Sequence, residues 1–416
     1  MNEAARWTIK ELAAAGHLEY GDGYRTNKSE LGTEGLPILR VAEVMNGKIT
    51  PAFTEFVRQD FRSAMRKKVS RSADIVLTTK GTVGRVAMIP DISPEFVYSP
   101  QVCFFRTLNE KVITTKYLYY WLRSDDFRHQ SAGMKGQTDM ADYLNLTDIG
   151  SLRVSTPPVD DQRGITEVLG ALDAKISANE LMLDTLNELR SAWYERVINS
   201  TNTDTSRRTL AQLVDGGFMA LGDGYRTKQS EHGKPGIPIL RVADVGRGII
   251  TPSFTHFVSN SYRSSMGPKV SQRGDVILTT KGTVGRVALI EASHPEFVYS
   301  PQVCYFRLAN ESPVSPLYLL HWFQGKEFWS QAGGLKGQTD MADYLSLRDI
   351  RSLQITIPSP PDLAEFDRIC NPMQEQSEAG RRENDTLAAL RDTLLPQLIT
   401  GKIRVKDAER FVEDVA

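Results

Sequence analysis

Residues 76–86 read VLTTKGTVGRV, and residues 277–287 read ILTTKGTVGRV. The two segments lie 201 residues apart, since 281 − 80 = 201 for the shared lysine. The same spacing joins three further pairs of segments: GDGYRT at 21–26 and 222–227, YSPQVC at 98–103 and 299–304, and GQTDMADYL at 136–144 and 337–345. No insertion or deletion interrupts this register, so the chain is a tandem duplication.

The bulk composition sets the broad class. A chain of 416 residues is too long for one compact core and predicts two or more domains. It has 40% hydrophobic and 24% charged residues, no apolar run of membrane-spanning length and no secretory pattern at its first residues. Its three cysteines are typical of a reducing compartment and do not form a disulfide framework. We therefore expect a cytoplasmic protein with no membrane contact.

The charge is unevenly distributed along the chain. The formal net charge is −1, but residues 20–85 hold twelve Lys/Arg against seven Asp/Glu, a net of +5. Residues 221–286 hold ten against four, a net of +6, whereas residues 161–200 hold four against seven, a net of −3. Positive charge in the first half of each copy is what a phosphate-binding surface requires, although scattered solvated charge would give the same counts.

Each copy mixes α and β, with strands dominating its middle, which predicts the α+β class with two mixed domains. Short apolar runs predict strands in the first copy, and the segment from Lys80 to Gly84 predicts a tight hairpin loop between two of them. Residues 115–130 have helical spacing of apolar side chains and predict one helix. The predicted strands lie at 37–41, 73–79, 85–89, 96–98 and 102–106.

A long helix is predicted after each domain. From residue 159 onward, 40 residues contain no proline, and apolar side chains recur at alternating steps of four and three. This is a heptad seam, in which a polar residue such as Asn179 can set the register against a partner helix. The second copy repeats the pattern from residue 360 with a weaker middle around Gly380. Two such seams favour pairing with each other; two independent amphipathic surface helices are the alternative.

No catalytic or metal-binding set recurs between the copies. None of the six histidines has a histidine 201 residues away, and no His/Cys cluster has metal-ligand spacing. Neither a P-loop nor a dinucleotide-binding fingerprint occurs. Asp139 and Asp142 recur, but in a context that favours helix capping. These absences favour a non-catalytic binding protein with no metal and no cofactor of its own.

The residues shared by both copies suit contact with nucleic acid. Lys and Arg neutralise phosphates, and Gln and Arg form paired hydrogen bonds with base edges. Small residues let a backbone N–H approach a phosphate, although Gly81 and Gly84 also fit a plain hairpin turn. For Arg40 and Arg106, inside strand patterns, we expect structural ion pairs instead. The candidate DNA-binding residues are Tyr24, Arg25, Thr79, Lys80, Gly81, Thr82, Gly84, Arg85, Gln101, Lys135, Gln137 and Thr138, with Tyr225, Arg226, Thr280, Lys281, Gly282, Thr283, Gly285, Arg286, Gln302, Lys336, Gln338 and Thr339.

Over its whole length the sequence resembles the specificity subunit of a type I restriction-modification system. The resemblance is carried by LTTKGTVG in each copy, by Pro157-Pro158, by Asp161-Gln162-Arg163, and by LPQLITGKIRV at 395–405. The second long helix departs from the pattern by opening DLAEF, without the glutamine. The repeat and the resemblance together predict five segments: a target recognition domain at 1–156, a spacer helix at 157–201, a second target recognition domain at 202–357, a second spacer helix at 358–405, and a tail at 406–416.

This resemblance implies a specific role. Each domain would read one half of a bipartite site on double-stranded DNA, and the two helices would form an antiparallel coiled coil. That coiled coil would space the half-sites and dock methyltransferase subunits, which bring S-adenosylmethionine, and restriction subunits would join for cleavage. Because the candidate contacts are nearly identical in both copies, we expect the site to be an inverted repeat with an unspecified centre. The alternatives are a self-contained DNA methyltransferase and a duplicated protein-binding scaffold.

Overall fold

The computed structural model describes residues 5–50, 52–91, 94–134, 136–137, 142–199, 205–246, 248–251, 253–335, 337–338 and 343–413. The chain divides into two compact units, each described here by itself. The first comprises Met1–Ser177 and Asp385–Ala416, and the second comprises Ala178–Asn384. Each unit therefore combines one copy of the globular repeat with one part of each long helix.

The elements of the first copy follow the same order as those of the second. Its strands are β1 Ala5–Thr8, β2 Leu18–Asp22, β3 Leu31–Gly32, β4 Leu36–Leu39, β5 Phe56–Val57, β6 Ile75–Thr78, β7 Val86–Met88, β8 Val97–Tyr98, β9 Val102–Thr107, β10 Gly136–Gln137, β11 Asp142–Tyr143 and β12 Arg153–Thr156. Its helices are α1 Ile9–Ala14, α2 Arg62–Met65, α3 Thr115–Arg123, α4 Asp125–Ala132, α5 Leu146–Ser151 and the long α6 Val159–Ile198.

The second copy repeats these elements except β3, in whose place His232 forms an isolated bridge with Val258. Its strands are β13 Ser206–Thr209, β14 Met219–Asp223, β15 Gly236–Leu240, β16 Phe257–Ser259, β17 Val276–Thr279, β18 Val287–Leu289, β19 Val298–Tyr299, β20 Val303–Leu308, β21 Gly337–Gln338, β22 Asp343–Tyr344 and β23 Gln354–Ile357. Its helices are α7 Leu210–Asp215, α8 Arg263–Met266, α9 Pro316–Gln324, α10 Lys326–Leu335, α11 Leu347–Ser352 and the long α12 Pro360–Ile399. A last helix, α13 Val405–Glu413, begins at the last residue of the predicted second spacer helix and continues into the predicted tail.

Two small sheets carry each domain. In the first copy the antiparallel sheet has the order β2-β9-β6-β7, and a second sheet has the order β3-β5-β4-β8, in which only β4 and β8 run parallel. The second copy has the equivalent sheets β14-β20-β17-β18 and β16-β15-β19. Strands β1 and β12 pair antiparallel and bring the two ends of the first domain together, as β13 and β23 do in the second.

The central strands are apolar on both faces because the sheet lies between two cores. All four residues of β6 are buried. Ile75 and Leu77 point into the core shared with α1, α3 and α6, whereas Val76 packs with Phe104 and Tyr98 on the opposite face. Since side chains alternate between the faces of a strand, a continuous apolar run is what such a two-sided position requires.

A buried ion pair holds the strands of each domain in place. Arg106 donates from Nε and Nη2 to Asp74 at 2.8 and 2.7 Å, and the Tyr98 hydroxyl donates to the same carboxylate at 2.6 Å. Arg40 pairs with Glu55 at the surface. The expectation that both arginines form structural ion pairs is confirmed.

Antiparallel helix pairing is observed within each unit. In the first, Ile165, Leu169 and Leu172 of α6 share a core with Leu387 and Leu394 of α12. Asp173 of α6 pairs with Arg391 of α12, and the earlier Gly164 lies against Val405, just beyond α12, so the two segments run antiparallel.

In the second unit, the Asn179 amide donates to Asn384 at 2.9 Å and to Glu383 at 2.7 Å, while the Arg190 guanidinium donates to Ser377 at 2.8 Å. The predicted role of Asn179 in pairing the helices is confirmed. The antiparallel coiled coil is thus seen separately in each unit, and the alternative of two independent surface helices is wrong.

The start of α6 is fixed by Gln162, one of the residues that carry the family resemblance. Its side chain is fully buried. It accepts from the Thr114 N–H at 2.8 Å and donates to the carbonyls of Val112 and Pro157 at 2.7 and 2.9 Å. Its role in this structure is to attach the long helix to its own domain.

Residues 115–130 do not form the single helix that their spacing predicts. The backbone is extended at Ser124, where φ is −80° and ψ is 165°, and α4 begins at the next residue. The Ser124 hydroxyl accepts from the Phe127 N–H at 3.4 Å and so caps α4. Phe127 still reaches the core that Trp121 occupies, their ring centroids 5.8 Å apart. The apolar side chains therefore keep their helical spacing across the break at Ser124, and for that reason the spacing does not predict the break.

Within the described ranges, no helix is both long enough and apolar enough to cross a membrane. The same part of the chain contains no group of three or more His, Cys, Asp and Glu side chains placed to hold a metal ion.

Candidate nucleic-acid interface

The hairpin between β6 and β7 presents the most repeated segment of the chain. The Thr78 hydroxyl donates to the Thr82 carbonyl at 2.5 Å and accepts from the Arg85 N–H at 2.9 Å, which closes the loop from inside. Gly81 and Gly84 have φ of 77° and 100°, a backbone conformation that favours glycine. The loop thereby turns tightly, and Lys80, Gly81 and Thr82 are exposed at its tip.

Thr79 connects this hairpin to the loop that carries Gln101. Its N–H and its hydroxyl both donate to the Gln101 carbonyl, at 2.9 and 3.0 Å. Thr280 makes the same two bonds to Gln302, at 2.8 and 3.1 Å. The threonines are buried, but they place an exposed glutamine beside the exposed lysine of each hairpin.

The Gly23-Tyr24 pair is also structural. A Cβ on Gly23 would lie 2.1 Å from the Ser99 carbonyl oxygen, so no other residue fits there. The Tyr24 N–H donates to the Tyr98 carbonyl at 2.7 Å, and its hydroxyl donates to Glu30 at 3.2 Å. Desolvation and the neighbouring carboxylate raise the pKa of Tyr24. The close backbone approach leaves the next side chain, Arg25, exposed with no polar partner among the described residues.

In the second domain the structure gathers six predicted residues around one open cleft of about 920 Å³. They come from the loop after β14, the hairpin and the loop before β20. The residues are Arg226, Lys281, Gly282, Thr283, Arg286 and Gln302. In the first domain the same backbone hydrogen bonds hold the equivalent loops, which carry Arg25, Lys80, Thr82, Arg85 and Gln101.

The cleft is positively charged. Arg226, Arg241, Lys281 and Arg286 all line it, and none of its described lining residues is Asp or Glu. Arg286 is half-buried and uses Nη1 to donate to the carbonyl of Val245 at 3.2 Å, which fixes its stem against the loop after β15. Four cations around a concave surface with no carboxylate form a site for a polyanion.

Arg241, His232 and His256 line the cleft but are not among the residues predicted to bind DNA. Arg241 is identical to its counterpart Arg40, which lies in a strand pattern and forms the ion pair expected of it. The counterparts of the histidines are Leu31 and Glu55. A search for identical residues passes over positions that differ, so only mapping the differences onto the loops could have found the two histidines.

The remaining candidates fall outside the cleft. Tyr225 packs on a buried cluster beneath the cleft, and Thr280 bonds to the Gln302 carbonyl. Gly285 lies against Trp329, and a Cβ added at Gly285 would be 2.1 Å from an atom of that ring. Gln137 and Gln338 are described only as backbone of β10 and β21. Four candidates lie outside the described residues: Lys135, Thr138, Lys336 and Thr339.

Comparison with known proteins identifies the domain of the first copy. Residues 6–188 match the family model described as Type I restriction modification DNA specificity domain. This range is the first domain with most of α6, and its motifs return in the second copy at the fixed spacing of 201 residues. The chain thus carries a type I restriction modification DNA specificity domain over residues 6–188.

Known relatives match over nearly the whole chain. The Type I restriction enzyme MjaIX specificity subunit of Methanocaldococcus jannaschii is 20% identical over 425 residues, covering 96% of this chain and 94% of that protein. The MjaVIII specificity subunit of the same organism is 20% identical over 399 residues, covering 89% and 90%. The crystal structure of a type I restriction-modification S subunit from M. genitalium has a TM-score of 0.56 at 16% identity, with 96% and 97% coverage, which shows the shared fold.

Proposed function

We propose that this chain is the DNA-recognition subunit of a type I restriction-modification complex and has no catalytic activity of its own. The observation that carries the proposal is the cleft in which Lys281, Arg226 and Arg286 converge without a carboxylate in the described lining. Phosphates supply the affinity for such a surface, and Gln302 at its edge can read a base through paired hydrogen bonds. The equivalent loops of the first domain provide a second reading surface.

Each domain would read one half of a bipartite site on duplex DNA. Most contact residues are the same in both copies, so we infer that the two half-sites form an inverted repeat around an unspecified centre. The paired long helices would dock the methyltransferase subunits, which bind S-adenosylmethionine and modify the DNA, and restriction subunits would complete the complex. The three cysteines are free and buried, which fits a cytoplasmic location.

The test is to purify the chain with its methyltransferase subunit and to sequence the methylated motif produced in cells. An inverted repeat with a fixed unspecified centre is expected, and two unrelated half-sites would contradict it. The chain alone should retain duplex DNA at moderate salt and should transfer no methyl group. Methyl transfer by the chain alone would favour a self-contained methyltransferase, and failure to bind any duplex would favour a protein-binding scaffold.

A further inference from the structure

The two domains have the same backbone around the reading surface but opposite chemistry at one corner of it. In the first domain the Ile38 N–H donates to the carbonyl of Glu55 at 3.0 Å, and in the second the Ile239 N–H donates to the carbonyl of His256 at 3.0 Å. Residue 55 therefore occupies the same backbone position as residue 256. The side chains alone differ, carboxylate in one domain and imidazole in the other.

The carboxylate neutralises an arginine in the first domain. The Arg40 guanidinium pairs with Glu55, and the two side chains are 40% and 38% exposed. An incoming phosphate or base oxygen must compete with this carboxylate for the same N–H groups. Arg40 is thus a weak ligand for an anion as long as Glu55 is charged.

In the second domain the guanidinium of the equivalent arginine bonds to a neutral hydroxyl, and only its backbone N–H donates to a carboxylate, that of Asp244, at 2.9 Å. Arg241 Nη2 donates to the Thr255 hydroxyl at 2.7 Å, and that hydroxyl lies 2.8 Å from His256 Nδ1. The Thr255 hydroxyl can accept from Arg241 and also bond to Nδ1 of His256, so the three side chains form one hydrogen-bonded row without a carboxylate. No carboxylate within the described part of the second unit lies within ion-pair distance of Arg241.

A second histidine extends this corner. His232 stands where the first domain has Leu31, and its backbone forms a bridge with Val258 of β16. The ring centroids of His232 and His256 lie 6.2 Å apart. Both imidazoles are exposed and line the cleft beside Arg241. The corner that presents an acceptor in the first domain presents hydrogen-bond donors in the second.

We propose that the two domains bind DNA unequally. Arg241 and His256 of the second domain bind an acceptor oxygen of the duplex, and Glu55 prevents the equivalent contact in the first domain. This inference rests on the proposed function. The oxygen belongs either to a backbone phosphate or to the O6 and N7 edge of a guanine, both of which a guanidinium can bind. In the second case the inverted repeat is imperfect at one base pair.

The test exchanges the carboxylate. Glu55→Gln removes the charge that neutralises Arg40, and His256→Glu places a carboxylate beside Arg241, with His256→Gln as the uncharged control. Binding of the full chain to duplex DNA carrying its site is measured by fluorescence anisotropy from 50 to 200 mM salt. Glu55→Gln should steepen the log–log salt slope by about 0.9, and His256→Glu should flatten it by about 0.9, the value for one phosphate contact.

Over this fourfold range of salt, such a change in slope alters the affinity ratio of variant to wild type about 3.5-fold. Replacing the half-site read by the first domain should abolish the effect of Glu55→Gln. Replacing the half-site read by the second domain should abolish the effect of His256→Glu. If the oxygen is a phosphate, the loss in His256→Glu is the same for every sequence of the remaining half-site. If it is a guanine edge, the loss is about 5- to 150-fold and is confined to sites with guanine at one position.

The outcomes that overturn the inference are distinct. If the wild type binds and both Glu55→Gln and His256→Glu leave the salt slope and the affinity for its site unchanged, the inequality of the domains is overturned and the proposed function still stands. Equal effects of His256→Glu and His256→Gln overturn the role of charge at this corner. Absence of wild-type binding to any duplex overturns the proposed function, and the inference with it.

Discussion

Replacing Arg106 by methionine is expected to destabilise the first unit by about 3–5 kcal/mol, the usual cost of leaving one member of a buried ion pair alone. The Asp74 side chain is only 1% exposed. Without the two guanidinium hydrogen bonds it retains the Tyr98 hydroxyl at 2.6 Å and the Arg71 N–H at 2.9 Å. Burial disfavours the charge of Arg106, but bonding to Asp74 outweighs burial and raises the pKa of Arg106, so its guanidinium is charged in the folded chain.

The assay is thermal unfolding combined with hydrogen exchange. At 2–4 °C per kcal/mol for a unit of this size, the loss corresponds to a fall of roughly 6–20 °C in the midpoint of the first unit. Amide protection should decrease in β6 and β9 and remain unchanged in β17 and β20. Arg307→Met is the matched control in the second copy, and it should cost less because the Arg307 side chain is 21% exposed against 6% for Arg106. A loss below about 1 kcal/mol, or equal loss of protection in both units, would refute the reasoning.

Two further changes test the reading surface and the core of the second unit. The double substitution Lys80→Ala and Lys281→Ala should weaken binding to all sequences and flatten the salt slope by about 1.8, whereas Lys10→Ala with Lys326→Ala, exposed lysines outside the hairpins, should leave it unchanged. An unchanged slope in the hairpin variant would make those lysines structural. Burial in α9, followed by the charge of a neighbouring arginine, lowers the pKa of His321 from 6.5 to about 3, so between these values the unfolded chain holds a proton that the folded chain lacks. Stability should therefore fall by about 1 kcal/mol from pH 6.5 to 5.5 in urea unfolding, and His321→Leu should remove this dependence; an equal slope in the variant would contradict it.

The positions of five strands of the first copy and the hairpin between two of them could be predicted because apolar runs and paired glycines report local backbone preferences directly. The strand β2 was not predicted, since its Gly-rich end resembles a turn and is recruited by pairing with the distant strand β9. The pairing of β1 with β12 was missed for the same reason, because the two strands are separated by almost the entire domain. Long-range pairing overrides local propensity, and a single sequence carries no direct signal of it.

The candidate site was predicted only in part, because repetition does not distinguish support from contact. Gly23 and Thr79 recur because they hold the loops together, Gly23 by close backbone contact and Thr79 by its hydrogen bonds to Gln101. The side chains of Lys80 and Gln101 are instead exposed on the surface of those loops. Both kinds of residue look the same when two copies are compared. Burial and hydrogen-bond partners separate them, and those depend on the folded loops.

Divergence between the copies also specifies which helix segments pair. In the first unit Arg391 of α12 pairs with Asp173 of α6 at 2.8 Å, with both side chains largely buried. The repeat equivalents in the second unit are Arg190 and Gln374, and there Gln374 donates to Glu291 at 3.0 Å while Arg190 donates to hydroxyl and carbonyl oxygens of α12. If α12 paired antiparallel with α12 of a second copy of this chain, Arg391 would face Gln374, the repeat equivalent of Asp173, and a buried guanidinium would lack its carboxylate. The different polar contacts of the two segments therefore make such mispairing between chains energetically costly.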